Sequence, residues 1–533
     1  MKSVRIARVI AAVAASILVC ATFTAVVPAP SASAAAPATS GWLHTDGSAI
    51  RTSAGKTYII KAVAWFGMET SNCAPHGLWQ IGLDAGLTTI KSMGFNTIRL
   101  PFSNECLAAT STNSIDFSLN PTLKGKKPLQ VMDIFIAKAK AKGLNVILDR
   151  HRPDSGAQSA LWYTAQWSEA RWIGDWKSLA KRYKSQSNVI GFDLHNEPHG
   201  TACWGCGNAK TDWRAAANRA GNAVLAVNPN VLIIIEGVEN QSTGSTWWGG
   251  GLADVLAKPV KLAVSKRVVY SPHDYPSSIY AQKWFSAANY PKNLPGVWDK
   301  NWGLIAKKKV APILLGEFGS KLETTSDKQW MSTLVTYLKT TGMSYAYWSF
   351  NPNSGDTGGL LKDDWTSLQT AKLAALKPLL GTTKPVPVGS TKPVAVPATP
   401  APPNTPSTTA PVTPAPSTTT QPTPGASSGK SAGTVAVAVT WTPQSWWNAG
   451  YVVGLQVSSS TGAAGWSVTW PDPNVTSVVN AWGMRCSVKV RTSITCSGDG
   501  WAAAMTPGAS NQVGLQVASS RAPSAPKLTV AAR

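Results

Sequence analysis

At 533 residues, with 44% hydrophobic and 8% aromatic side chains, the chain exceeds one typical domain and carries enough apolar material for at least two packed cores. Its formal net charge of +23 is scattered in short clusters such as Lys124–Lys127 and Lys307–Lys309, with no basic stripe interleaved with stacking aromatic residues. That pattern excludes nucleic acid as a partner and reads as a solvated surface with weak affinity for acidic wall polymers.

The first segment is a leader. Lys2, Arg5 and Arg8 precede an apolar run from Val9 to Val27, and the small residues of "SASAAA" supply a cleavage site after Ala34. Residues 1–34 are therefore expected to be a secretory signal peptide, the mature protein to be extracellular, with no membrane association, and the chain to be a monomer. Val19 before Cys20 is not the small residue a lipoprotein signal requires. Removing Cys20 leaves six of the seven cysteines. In an oxidising compartment these are expected to pair as Cys73 with Cys106, Cys203 with Cys206, and Cys486 with Cys496. "CWGC" at 203–206 has the spacing of a redox dithiol or of half a zinc site, but no second CxxC or HxxxH accompanies it, so a small clip is the reading and no metal is assigned.

Residues 37–381 alternate apolar, strand-like runs with helical patterns. The runs are "YIIKAVAW", "NTIRLPF", "LNVILDRH", "VIGFDLHNE", "VLIIIEG", "RVVYSPHDY", "APILLGEFG" and "YAYWSF". Between them lie amphipathic stretches such as "PLQVMDIFIAKAKAKG", which Gly143 ends, and "TDWRAAANRAGNAVLAVNP", which Pro229 follows. Eight strands alternating with helices predict an α/β fold, a (β/α)8 TIM barrel, rather than a doubly wound sheet, whose glycine-rich turn after the first strand is missing from "VAWFGMET". Residues 382–433 change to Thr, Pro, Ser, Ala and Val, a linker with nothing to bury. At about 3.1 Å per residue in polyproline geometry it spans on the order of 100 Å. From 434 to 533 short alternating runs separated by Gly, Pro, Asn and Ser predict a second, all-β sandwich.

The polar residues of the first domain that carry chemistry fall where barrel strands end, the face on which such barrels build their sites. Strand two ends with Arg99, three with His151, four with Asn196 and Glu197, six with His273 and Tyr275, seven with Glu317 and eight with Trp348. Glu197 and Glu317 each follow an apolar run, and two carboxylates facing across a sugar-sized gap are the machinery of glycoside hydrolysis. Trp65, Trp162, Trp247 and Trp248 are either core residues or stacking faces for sugar rings, and Trp65 and Trp248 are taken as substrate-binding candidates. Asp149, Asp154 and His195 are read as structural.

"HNEP", "GEFG", "IRLP", "HDY" and "YWSF" together resemble family 5 glycoside hydrolases, and "ETSNCAPHGLW", "LDRHRPD", "SALWYT", "ACWGCG" and "NSGDTGGLLKDDW" resemble actinobacterial endo-β-1,4-glucanases of that family. The resemblance covers residues 41–381. It implies a retaining cellulase acting on cellulose or a related β-1,4-glucan without a cofactor, with Glu197 as acid/base and Glu317 as nucleophile. Glu197 is expected to keep its proton, while Arg99 and Tyr275, both placed among the substrate-binding residues, favour ionised Glu317. Asn196 is expected to bond the sugar 2-hydroxyl, His151 and His273 to orient substrate and carboxylates, and Trp348 to form a floor for the sugar. The same residues serve β-1,4-mannanases and xyloglucan-active glucanases, which stand as the alternative. A non-catalytic polysaccharide-binding barrel is the reading that the two glutamates oppose. In the second domain "SWWNAGY", "NAWG" and "GDGWAAAMTPG" resemble family 2 carbohydrate-binding modules. By that resemblance Trp447, Trp482 and Trp501 form a flat stacking face, with Trp446 standing as the alternative to Trp447; Trp466 and Trp470, on a strand with apolar alternation, read as core. The cysteines depart from the common pattern of those modules, lying on a hairpin rather than near both ends.

Overall fold

A computed structural model describes residues 41–156, 158–389, 437–447, 450–499, 502–521 and 526–532. The leader expected at 1–34 and the expected linker from residue 390 onward lie outside them.

Eight parallel strands form one sheet: β1 (Lys61–Ala64), β2 (Thr97–Ser103), β3 (Asn145–Arg152), β4 (Val189–Asp193), β5 (Leu232–Glu236), β6 (Val268–Ser271), β7 (Leu314–Phe318) and β8 (Ser344–Tyr347). The spatial order runs from β6 back through β5, β4, β3, β2 and β1 to β8 and β7. Parallel bridges Tyr270↔Ile313 and His273↔Glu317 join β6 to β7 and close the barrel. Each of the eight predicted runs overlaps one of these strands, five of them containing it whole. They are nearly all apolar because both faces of a parallel barrel are covered.

The two faces separate cleanly. Ile147, Ile190, Leu232, Ile234, Val269, Leu314 and Ala346 form one buried cluster inside the barrel, and residues 43–52 fold into an antiparallel hairpin whose Leu43 and Ile50 join it. The alternate residues, such as Ile98, Leu148, Phe192, Ile233, Ile235 and Leu315, belong to a larger cluster shared with the helices. Those helices include α1 (Leu83–Ser92), α2 (Pro128–Ala141), α3 (Glu169–Arg182), α4 (Trp213–Val227), α5 (Thr325–Thr341) and α6 (Thr370–Leu380). α2 starts with Pro128 in its first turn, where the missing N–H costs nothing, and Gly143 at φ +67° follows its end. The Asp212 side chain caps α4 by accepting from the Ala215 amide.

The C-terminal unit is two antiparallel four-stranded sheets. One orders β9 (Ala438–Trp447), β10 (Gly450–Ser458), β15 (Ser510–Ser519) and β12 (Val475–Trp482); the other orders β13 (Met484–Lys489), β14 (Ser493–Gly498), β11 (Trp466–Pro471) and β16 (Thr529–Ala532). Tyr451, Val453, Leu455, Trp466, Val468, Trp470, Leu515 and Val517 build one shared core, as a β-sandwich requires. Trp466 and Trp470 are thus inside. The disulfides pair Cys73 with Cys106, Cys203 with Cys206, and Cys486 with Cys496, the last joining directly opposed residues of β13 and β14.

Candidate active site

Period-two alternation carries an inward polar layer on top of the apolar one. Arg99 lies between outward Ile98 and Leu100; Asp149 follows inward Ile147; Glu236 follows inward Leu232 and Ile234. On β7 strict alternation from inward Leu314 would turn Glu317 outward. The pairing with β8 is irregular between Leu315 and Phe318, and this extra residue brings Glu317 to the barrel interior. Gly316 makes room for it: a Cβ there would lie 2.2 Å from Ser271 Oγ and 3.0 Å from His273 Nε2.

At the centre of this layer is the Arg99 guanidinium, fully buried. Its Nη1 donates to Glu317 Oε1 at 2.5 Å, its Nε to Asp193 Oδ2 at 3.0 Å, and its Nη2 to Glu236 Oε1 at 3.0 Å and to Asn196 Oδ1 at 2.9 Å. Asp149 Oδ2 is 3.1 Å from Nη2. Burial alone would lower the Arg99 pKa, but the surrounding carboxylates raise it well above the usual value. Arg99 is expected from the sequence among the substrate-binding residues; with no exposed surface and its nitrogens engaged by four acids and Asn196, it lies behind Glu317 rather than against a sugar. Burial likewise pushes Asp149 and Asp193 up to about 7 despite Arg99, and pushes Glu236 well above the carboxylate range.

Glu317 receives a second hydrogen bond, from the Tyr275 hydroxyl to Oε2 at 2.6 Å. Burial and the facing carboxylate hold the Tyr275 pKa well above 10, so the hydroxyl remains a donor. Across the gap, Glu197 Oε1 is 2.9 Å from His273 Nδ1. One oxygen of Glu197, one of Glu317 and a nitrogen of His273 all lie within 4.8 Å of one another. Burial would lower His273, yet Glu236 and Glu317 raise it well above its ordinary value. Glu197 departs from expectation here. Burial pushes its carboxyl up, but the hydrogen bond and charge of His273 outweigh burial and hold it below the usual value. The proton of this pair therefore rests on the histidine side of the bond.

Glu197 is not on β4, which had been expected to run as far as Asn196 and Glu197; the strand stops at Asp193. It sits in a left-handed backbone conformation, φ +53°, uncommon for a residue with a side chain. Its amide donates to Glu236 Oε2 at 2.6 Å, and its carbonyl accepts from His199 Nδ1 at 2.6 Å. Asn196 is buried, and its Nδ2 has no partner among the described residues. His151 donates Nδ1–H to Asp149 Oδ2 at 2.7 Å, and burial lowers its pKa to about 4, so the ring is neutral with Nε2 as an acceptor. Trp348 is half-buried and lies parallel to both Phe66 and His151, at 5.3 Å from each ring.

The remaining tryptophans divide. Trp65 had been expected to present a stacking face, but it is completely enclosed, packed on Phe135 and Phe350, with its Nε1 donating to the His76 carbonyl. Gly86 of α1 passes so close that a Cβ would fall 2.3 Å from the indole. Trp162 is also core. Trp248 is 44% exposed and stacks on His199 at 3.9 Å, while buried Trp247 meets Tyr275 and exposed Tyr280 edge-on. In the sandwich, Trp447 and Trp482 lie on β9 and β12, with side chains outside the described residues; Trp501 lies wholly outside them. Sequence reasoning passed over Asp193 and Glu236 and read Asp149 as structural. "VLIIIEG" carried the same signal as "LLGEFG": an apolar run, one acid, then glycine.

Comparison with known proteins agrees with this geometry. Residues 54–354 match the cellulase family, glycosyl hydrolase family 5. The chain belongs to that family. Residues 437–532 match the cellulose binding domain family. An endoglucanase of Paenibacillus polymyxa is 51% identical over 346 residues, covering 64% of this chain and 87% of that protein. The major extracellular endoglucanase of Xanthomonas campestris pv. campestris is 43% identical over 336 residues, 62% and 69% of the two chains. The solved catalytic domain of that enzyme superposes with a TM-score of 0.61 at 41% identity, covering 64% of this chain and all of that one. A hyperthermophilic endocellulase from the archaeon Pyrococcus horikoshii gives 0.62 at 39% identity, over 64% and 99%.

Proposed function

We propose that this cellulase cleaves internal β-1,4-glucosidic bonds of cellulose with retention of configuration, Glu317 acting as nucleophile and Glu197 as acid/base. One observation carries the reading: the two carboxylates approach within 4.8 Å. A nearest-oxygen approach of that size fits the roughly 5 to 5.5 Å between the carboxyl groups of a double displacement better than the gap of roughly 6.5 to 9.5 Å that an inverting enzyme keeps for water.

The first step joins a Glu317 carboxylate oxygen to the anomeric carbon while the bond to the leaving oxygen breaks. Arg99 donates to one Glu317 oxygen and Tyr275 to the other, and together they aim the carboxylate. The leaving oxygen takes the proton shared by Glu197 and His273. In the second step Glu197 receives a proton from water, whose oxygen attacks the anomeric carbon and returns Glu317 as carboxylate. The unpaired Asn196 Nδ2 is the donor for the sugar 2-hydroxyl, a contact that strengthens as positive charge develops on the ring. Trp348 floors the sugar at the cleavage site, and exposed Trp248, on the loop beside Glu197, stacks on the departing chain. The protein is exported, acts as a monomer, and comprises a leader, a barrel at 37–381, a linker at 382–433 and a cellulose-binding sandwich at 434–533, where Trp447, Trp482 and Trp501 supply the stacking face. A relative named as extracellular supports the export.

Reducing-sugar release from carboxymethylcellulose and from mannan tests the substrate. Cleavage of the glucan is expected, and activity confined to mannan would overturn the assignment.

A further inference from the structure

A buried carboxylate that takes no part in the displacement lies directly beneath the acid/base residue. Glu236, the last residue of β5, has no exposed surface. Its Oε2 accepts the Glu197 amide at 2.6 Å, while its Oε1 faces Arg99 Nη2 at 3.0 Å and His273 Nε2 at 3.3 Å. His273, which Glu197 meets through its carboxyl, thus lies in charge contact with the same carboxyl group, though its Nε2 makes no hydrogen bond among the described residues. Gly249, at φ +68°, closes over this spot: a Cβ there would lie 2.6 Å from Glu236 Oε2 and 3.2 Å from Glu197 Cα.

Glu197 needs such a hold because no strand supplies one. It lies beyond the end of β4, in a conformation that a residue with a Cβ seldom adopts unless its surroundings impose it. Glu317, by contrast, is positioned by the ladder of β7. We propose that Glu236 is a positioning residue for Glu197: its carboxylate grips the Glu197 amide from one oxygen and steadies His273 from the other, fixing the carboxyl that delivers the proton. Glu236 touches no substrate. The inference rests on the reading of Glu197 as the acid/base group.

A role through Glu197 differs from a role through Arg99 in which substrates suffer. Proton delivery matters for a poor leaving group and hardly at all for a good one. The test is kcat/KM of the full-length protein on phenyl β-cellobioside and on 2,4-dinitrophenyl β-cellobioside, for the parent, Glu197→Gln and three variants of Glu236. Glu236→Ala and Glu236→Asp, the second keeping the charge but falling short of the amide, are expected to lose about a hundredfold on the phenyl substrate and only a few-fold on the dinitrophenyl one. Glu236→Gln keeps the reach and an acceptor oxygen without the charge, and its loss is expected to be shared between the two substrates. Equal losses on both substrates in the Ala and Asp variants, or a selective loss in the Gln variant as large as in the Asp variant, would overturn the positioning role while Glu197→Gln still shows its own selective loss. If Glu197→Gln itself shows no selectivity, the reading of Glu197 fails and the positioning role with it. Should Glu236→Ala not fold, the contrast between the Asp and Gln variants decides alone.

Discussion

The two sides of the catalytic gap are built by different means. Glu317 is part of a strand: β7 carries it, an irregularity near Gly316 turns it inward, and Arg99 and Tyr275 fix its two oxygens. Glu197 lies four residues past β4, in a left-handed turn, and is held by Glu236 through its amide, by His199 through its carbonyl and by His273 through its carboxyl. Glu317, the proposed nucleophile, inherits its position from the sheet, whereas Glu197, the proposed acid/base group, depends on side chains that arrive from β5 and from the segment after β6. Substitutions therefore act locally on one side and cooperatively on the other.

The largest effect separates chemistry from framework. Glu317→Gln removes the proposed nucleophile while keeping a neutral partner for Arg99, and kcat is expected to fall by at least about 10⁴-fold with cellulose binding retained. Near-parent activity of the purified variant would contradict the assignment. Tyr275→Phe sharpens the same side by deleting one charge-assisted hydrogen bond to Glu317. Such bonds contribute about 1.5 to 3 kcal/mol, so a loss of roughly ten- to a hundredfold in kcat is expected, with little change in the melting temperature. A variant that melts much earlier but turns over normally would make the bond structural.

The smallest effect tests the other side through pH. His273 is raised above its ordinary 6.5 by Glu236 and Glu317 against the pull of burial, and Glu197 is held low by His273. A raised group keeps its proton to higher pH, so the proton used for departure is lost only as pH climbs above about 6.5, and the basic limb of kcat/KM should lie there. His273→Gln removes that titration and leaves the Glu197 carboxyl alone, now raised by burial without its cationic neighbour. The limb is then expected to move down by about one pH unit or more, as read from the full pH profile. An unmoved limb would place the proton elsewhere.

Much of this was legible in the sequence because buried parallel strands announce themselves as apolar runs, and a lone acid at the end of such a run stands out. That located all eight strands, both glutamates and the sandwich core tryptophans. What stayed hidden depends on contacts distant along the chain. Trp65 and Trp348 both follow barrel strands, yet the approach of Gly86 seals one into the core while the other remains half-open. Whether Arg99 would face Glu197, Glu317 or a sugar was set by where Asp149, Asp193 and Glu236 stand around it. Glu236 carried the same local signature as Glu317, and was passed over because two acids already sufficed for the chemistry. The lowered pKa of Glu197 comes from a histidine 76 residues later, and no local pattern records it.

The central claim is that the two carboxylates are close enough for Glu317 itself, and not a water between them, to attack the sugar. Hydrolysis of a soluble β-1,4-glucan followed by NMR from the first minutes tests this directly. The account predicts that the β-anomer of the new reducing end appears first and equilibrates with the α-anomer afterwards. Initial release of the α-anomer would mean inversion, and would contradict it.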